Sequence, residues 1–151
     1  MTTELILSRV LRAPRHVIYT CWTTPEHMAH WFMPKPHSID NIVINLHSGG
    51  RFDSTMHVDG AVIPSRGCVL DAVKDHRFAF TDMMTAEFQP VASPGLGFTA
   101  TIDLSDHPEG TLYHVTARHR TAEDTQKHQA MGFSVGWGTV ATQLETYART
   151  L

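Results

Sequence analysis

Cysteine is scarce in this sequence. Its two copies, Cys21 and Cys68, stand far apart and neither belongs to a CxxC pair. That excludes a disulfide framework and a thiol-rich zinc site, and leaves two reduced core thiols in a cytoplasmic protein as the expectation. Charge is sparse as well: 18% of residues are charged, the formal net charge is -3, and Lys and Arg form no run. Without a basic stripe nothing follows a phosphate backbone, so nucleic acid is excluded as a partner. No apolar run approaches the ~20 residues that span a bilayer. The opening Met1-Thr2-Thr3-Glu4 lacks the basic-then-apolar order of a signal peptide, so no membrane insertion is expected. Catalytic signatures are missing too. There is no GxSxG, no HExxH and no Gly-rich phosphate loop, and no cofactor is expected.

What remains is 151 residues that are 42% hydrophobic, enough for one domain over 1–151 with a core and a cavity beside it. Glu4 to Arg12 alternates loosely and predicts a strand. Pro14 can open a helix carrying Val17, Ile18, Cys21 and Trp22. Thr24-Pro25 restarts the pattern, with Met28, Trp31 and Phe32 on one face. Pro34 and Pro36 end these two short helices.

From Ser38 to Arg120 strand signals dominate. Arg51 to Val58 alternates, with Phe52, Met56 and Val58 on one face and Arg51, Asp53, Thr55 and His57 on the other. Asp59-Gly60 is a hairpin turn, Ile63 to Val73 and Arg77 to Thr81 are further strands, and Phe98 to Leu104 alternates with Thr99, Thr101 and Asp103. Short turns between consecutive strands imply an antiparallel meander. Met83 to Leu96 interrupts it, an apolar loop that must pack or cover something. Thr121 with Asp124 resembles a helix cap, and Phe133, Trp137, Val140, Ala141, Leu144, Ala148 and Leu151 form one stripe. One helix from about 122 to 149 would be roughly 40 Å long. The class is therefore α+β, a long C-terminal helix closing over an antiparallel sheet.

Inside that helix Gly132, Gly136 and Gly138 each cost about 0.5–1 kcal/mol relative to Ala. Two explanations compete: close backbone packing, or space left beside Trp137 for a ligand. Among the eleven histidines, His27 and His30 share a helix face, with His37 as a distant third metal ligand. Neither a HExxH nor a Cys-His grouping accompanies them, and no metal is expected. Acid–base candidates are Asp53 and His57, with Asp71, Arg66, Arg118 or His119 brought near by adjacent strands. The catalytic residues are unassigned.

The ordered motifs Ser8-Arg9-Val10, Ala13-Pro14, Trp22-Thr23-Thr24-Pro25-Glu26-His27, Trp31-Phe32-Met33-Pro34, Gly49-Gly50-Arg51-Phe52, Asp59-Gly60 and Gly136-Trp137 run nearly end to end. Together they resemble the activator-of-Hsp90-ATPase-like (AHSA-type) family of the START-like, or SRPBCC, superfamily. The resemblance implies a helix-grip fold, with six or seven antiparallel strands around the C-terminal helix and a hydrophobic cavity between them. Mapped onto this chain, Trp31, Phe32, Phe52, Met56, Phe80, Phe133 and Trp137 would line that cavity and bind ligand. The acidic residue and arginine that commonly precede the Gly-Gly turn are replaced by Asn45 and His47. The resemblance carries no catalytic motif. It implies a non-enzymatic binder of a small lipid-like or aromatic molecule, ahead of a polyketide cyclase-like enzyme or a chaperone-interacting module.

Overall fold

Leu5 and Leu7 turn towards the core while Ile6 and Ser8 turn outward, the two-residue period of a strand, in β1 (Glu4–Leu11). The computed structural model describes residues 2–151. Pro14, expected at the first helical position, instead sits one place earlier at the cap of α1 (Arg15–Thr23), and its carbonyl accepts from the Val17 and Ile18 N–H groups. Thr24 ends α1 and opens α2 (Pro25–Met28), where Pro25 leaves no donor unpaired. The Thr24 hydroxyl makes no capping bond; its carbonyl takes the Met28 N–H at 2.9 Å. Ile18, Cys21, Trp22 and Met28 are fully buried by this pair of helices. Both cysteines are unpaired and buried, and burial pushes the Cys21 thiol up to about 11.

The strands that follow are β2 (Ser38–Ile44), β3 (Phe52–Val58), β4 (Ala61–Ser65), β5 (Cys68–Val73) and β6 (Arg77–Thr81). A small hairpin of β7 (Met84–Thr85) and β8 (Gln89–Pro90) precedes β9 (Phe98–His107) and β10 (Gly110–His119). A five-stranded antiparallel sheet has the order β1-β10-β9-β6-β5, and a three-stranded sheet has the order β2-β3-β4. The α+β antiparallel class holds, with the strands divided among these two sheets and the two-stranded β7-β8 hairpin instead of one sheet of six or seven. Asp59 and Gly60 both take positive φ, 49° and 82°, at the tip of the β3–β4 hairpin, as its primed turn requires. Bulges between Asp40 and Val43 and between Val69 and Asp71 bend their strands.

The stretch Ile63 to Val73, expected as one strand, breaks at Arg66-Gly67, where the chain crosses from one sheet to the other. The Phe52 N–H donates to the Gly67 carbonyl at 3.1 Å, and Arg51 bridges to Cys68. A methyl on Gly67 would lie 2.8 Å from the Thr81 carbonyl oxygen and 3.1 Å from that of Phe52. Only hydrogen fits at this seam. Gly67→Ala is therefore expected to lower stability by about 1–3 kcal/mol through overpacking. Urea unfolding should show a lower midpoint with an unchanged slope; an unchanged midpoint would mean that the seam relaxes around a methyl.

The C-terminal helix is two helices. The Thr121 hydroxyl accepts from the Asp124 N–H at 3.1 Å, the expected cap, and starts α3 (Ala122–Ala130). Gly132 then takes a left-handed φ of 94° and redirects the chain into α4 (Phe133–Ala148). From α4, Phe133, Val140, Ala141, Leu144 and Ala148 are buried in the core shared with Phe78, Ile102 and Tyr113. Among the described residues no helix is long and apolar enough to cross a membrane.

Candidate functional site

Alternation along β3 sends Phe52, Ser54 and Met56 to one side, and the one-turn spacing of Phe133, Gly136, Trp137 and Val140 sends these towards them from α4. The two faces do not close on each other. They leave a cavity of about 950 Å³, walled also by Phe32, Phe80 and Phe98. Its aromatic walls are built of edge and tilted contacts. Phe52 and Phe80 lie 4.5 Å apart, Phe133 and Trp137 5.9 Å apart, and Phe98 meets Trp137 at 6.5 Å and 89°. The mouth is bordered by Ile63, 44% exposed, and Met131, 69% exposed.

Six of the seven residues expected to line a cavity do so: Phe32, Phe52, Met56, Phe80, Phe133 and Trp137. Trp31 does not. It is 1% exposed, packs edge-on against Trp22 at 5.0 Å, and donates its indole N–H to the Cys21 carbonyl at 3.2 Å. The chain leaves the helix after Met28, and of the neighbouring pair only Phe32 reaches the open side while Trp31 fills the core behind it.

The glycines divide by position. A Cβ on Gly136 would meet nothing within 4 Å, and Gly136 borders the cavity. Space, rather than close backbone packing, therefore surrounds it. At Gly138 a Cβ would lie 3.1 Å from the Arg9 guanidinium, which donates to the Gly138 carbonyl at 3.0 Å. Met83 to Leu96 packs and covers at once. The Glu87 N–H donates to the Gly49 carbonyl at 2.7 Å, the Phe88 ring sits over Gly49, and Val91 and Leu96 complete a cavity wall.

Most of the acid–base candidates lie outside this space. Asp53 pairs with Arg51 at 2.9 Å, His57 with Asp40 at 2.9 Å, Asp71 with Arg77 at 3.8 Å and Arg118 with Glu4 at 3.1 Å. Arg66 is exposed at the mouth. Only His119 turns inward, where its Nε2 lies 2.8 Å from Nδ1 of His128, a cavity-lining residue from α3. Burial first, and the neighbouring His119 second, pull the His128 imidazole down to about 4, against the opposing charge of Asp82. At neutral pH this imidazole is uncharged. Both carboxylate oxygens of Asp82 are engaged, taking the Phe98 N–H at 2.9 Å and the Gly97 N–H at 3.1 Å.

The histidines weighed as metal ligands are occupied otherwise. His27 Nδ1 lies 2.6 Å from the Tyr147 hydroxyl, His30 stacks on the same ring at 4.7 Å, and His37 sits 4.0 Å from Asp59. Among the described residues no three metal-capable side chains converge. A second depression, of about 540 Å³, runs past Arg15, Asp75 and Asp106. At its floor Arg15 pairs with Asp106 at 2.7 Å and also donates to the Asp75 backbone carbonyl at 2.8 Å.

No curated protein matches the chain. Among solved structures it is similar to a crystal structure of a protein from Nitrosomonas europaea, at 34% identity and a TM-score of 0.94, covering 98% of this chain and 95% of that one. It is also similar to a crystal structure from Mycobacterium smegmatis, with 22% identity, a TM-score of 0.79 and coverage of 96% and 90%. A solution structure of an AHSA1-like protein from Aeromonas hydrophila shares the fold at 16% identity, with a TM-score of 0.75 and coverage of 97% and 92%. The family model for activator of Hsp90 ATPase homolog 1-like protein matches residues 12–149. With nearly its whole length inside that match, the chain belongs to the activator of Hsp90 ATPase homolog 1-like family, part of the SRPBCC superfamily, whose members commonly bind hydrophobic ligands.

Proposed function

We propose that this protein is a one-domain container that binds a small, largely hydrophobic molecule between its sheets and α4. The observation that carries this reading is the cavity of about 950 Å³, at the upper end of the roughly 300–1,000 Å³ of small-molecule sites. Its walls supply ring faces and edges from Phe32, Phe52, Phe80, Phe133 and Trp137, with Met56 as an adaptable filler. Polar groups are few, which suits a guest held by burial with one or two orienting hydrogen bonds. A module that worked only by touching a chaperone would need no such hollow. The two buried, unpaired cysteines fit a reducing, cytoplasmic setting.

Diphenylhexatriene, a hydrocarbon dark in water and bright in apolar surroundings, tests the proposal without any hydrogen bond. Titration into the purified protein should give saturable emission at one probe per chain, with quenching of tryptophan fluorescence as the probe settles beside Trp137. A linear, unsaturable rise, together with native mass spectra of the bare chain from its own host, would remove the reading.

A further inference from the structure

His119 and His128 form a buried pair whose protons are ordered by a carbonyl. His119 Nδ1 lies 3.0 Å from the Thr3 carbonyl oxygen. That oxygen can only accept, so Nδ1 carries the proton. In the uncharged pair His119 Nε2 is then bare, and it accepts from Nδ1–H of His128 across 2.8 Å. The second nitrogen of His128 is left without a proton. It has no hydrogen-bond partner among the described residues, although His128 itself is only 5% exposed. No sealed side-chain nitrogen or oxygen lacks a partner among the described residues. This nitrogen is therefore reached from open space, and the open space beside His128 is the cavity. The ring is held by Phe98 at 5.0 Å and Phe133 at 5.1 Å, so it cannot swing away to find another partner.

We propose that His128 presents Nε2 to the cavity as a hydrogen-bond acceptor, and so selects apolar guests that carry an O–H or N–H donor, such as phenols, over equally apolar guests without one. The proposal rests on the cavity being a ligand site. Two other polar groups of the lining are already engaged, while the Ser54 hydroxyl on β3 is a separate polar contact that a change at His128 leaves in place. Asp82 is engaged by two backbone N–H groups, and the Thr81 hydroxyl donates to the Phe98 carbonyl at 2.8 Å. His119 acts only through His128, by fixing which of its nitrogens keeps the proton.

Displacement of bound diphenylhexatriene by 2-naphthol, 2-methoxynaphthalene and naphthalene reads the preference directly. The wild-type protein should bind 2-naphthol roughly three- to tenfold more tightly than the other two, the size of one net hydrogen bond. His128→Phe keeps an aromatic ring against Phe98 and Phe133 and should bring the three affinities together while naphthalene binding persists. Should that variant not fold, nitrogen-15 spectra of the wild type decide. The His128 Nε2 signal should lie in the unprotonated range at neutral pH and move with 2-naphthol but not with 2-methoxynaphthalene. Equal wild-type affinities for the three competitors, or a protonated Nε2 at neutral pH, would overturn the assignment while leaving the cavity reading intact. Failure of diphenylhexatriene itself to bind would instead take down the cavity reading and this proposal with it.

Discussion

Trp22→Ala should lower folding stability by about 3–5 kcal/mol, the range for deleting a large ring from a packed interior. The indole is 0% exposed and touches rings on three sides: Trp31 and Phe32 edge-on at 5.0 Å each, and Phe78 at 5.8 Å. Its N–H donates to the buried Tyr113 hydroxyl at 3.0 Å. Truncation would leave a void and strip that hydroxyl of its donor in a place water does not reach. Burial already pushes the Tyr113 hydroxyl far above its ordinary range, against the opposing hydrogen bond from Trp22, so it stays protonated. Trp137 provides the contrast within one protein. It is half-buried, stacks beyond Trp22 at 6.4 Å, and gives one face to the cavity. Trp137→Ala should therefore cost clearly less in urea unfolding while weakening diphenylhexatriene binding. Equal losses of stability from the two variants would mean that Trp137 is core and that the hollow beside it collapses.

Period-two alternation located β3 and told its two faces apart: Phe52 and Met56 point inward, while Asp53 and His57 pair with Arg51 and Asp40 on the outer side. The hairpin at Asp59-Gly60 and the cap at Thr121 followed from turn and cap chemistry that is local, and local chemistry is legible. Trp31 and Phe32 are neighbours, by contrast, and spacing alone cannot say which of two adjacent rings faces a hollow. That depends on where the chain goes after α2, which distant strands decide.

His128 was hidden for a different reason. Carrying the stripe of α4 backwards from Phe133 by three or four residues lands on Ala130 and Gln129, both exposed. The buried residues of α3 are Thr125 and His128. The left-handed Gly132 breaks the helix and resets its phase, so a continuous period pointed to the wrong side chains. The glycine was visible and carried the signal. A left-handed glycine commonly follows the last turn of a helix, and splitting the segment there would have freed α3 to be phased on its own residues. The partner histidine was legible in part, because Tyr113, Val115, Ala117 and His119 continue one inward face of β10.

Gly136→Leu should abolish ligand binding while leaving the protein as stable as before or more so. Glycine inside a helix costs roughly 0.8–1 kcal/mol against a good helix former, and a Cβ at this position of α4 meets nothing within 4 Å. The leucine side chain enters the cavity that Gly136 borders, where it replaces guest contacts with its own. Thermal unfolding should rise by up to about 2–4 °C, the shift that 1 kcal/mol gives a chain of this size. Diphenylhexatriene affinity should fall more than tenfold. Gly136→Ala separates the two effects, since it improves the helix to the same degree but adds too little volume to fill the space. The opposite signs give the experiment its force. Lost binding through misfolding always brings lost stability, whereas a filled container gains stability as it loses its guest. Undiminished binding in a stabilised Gly136→Leu protein would place the probe elsewhere on the molecule, and the space beside Trp137 would then have no claim to be the site.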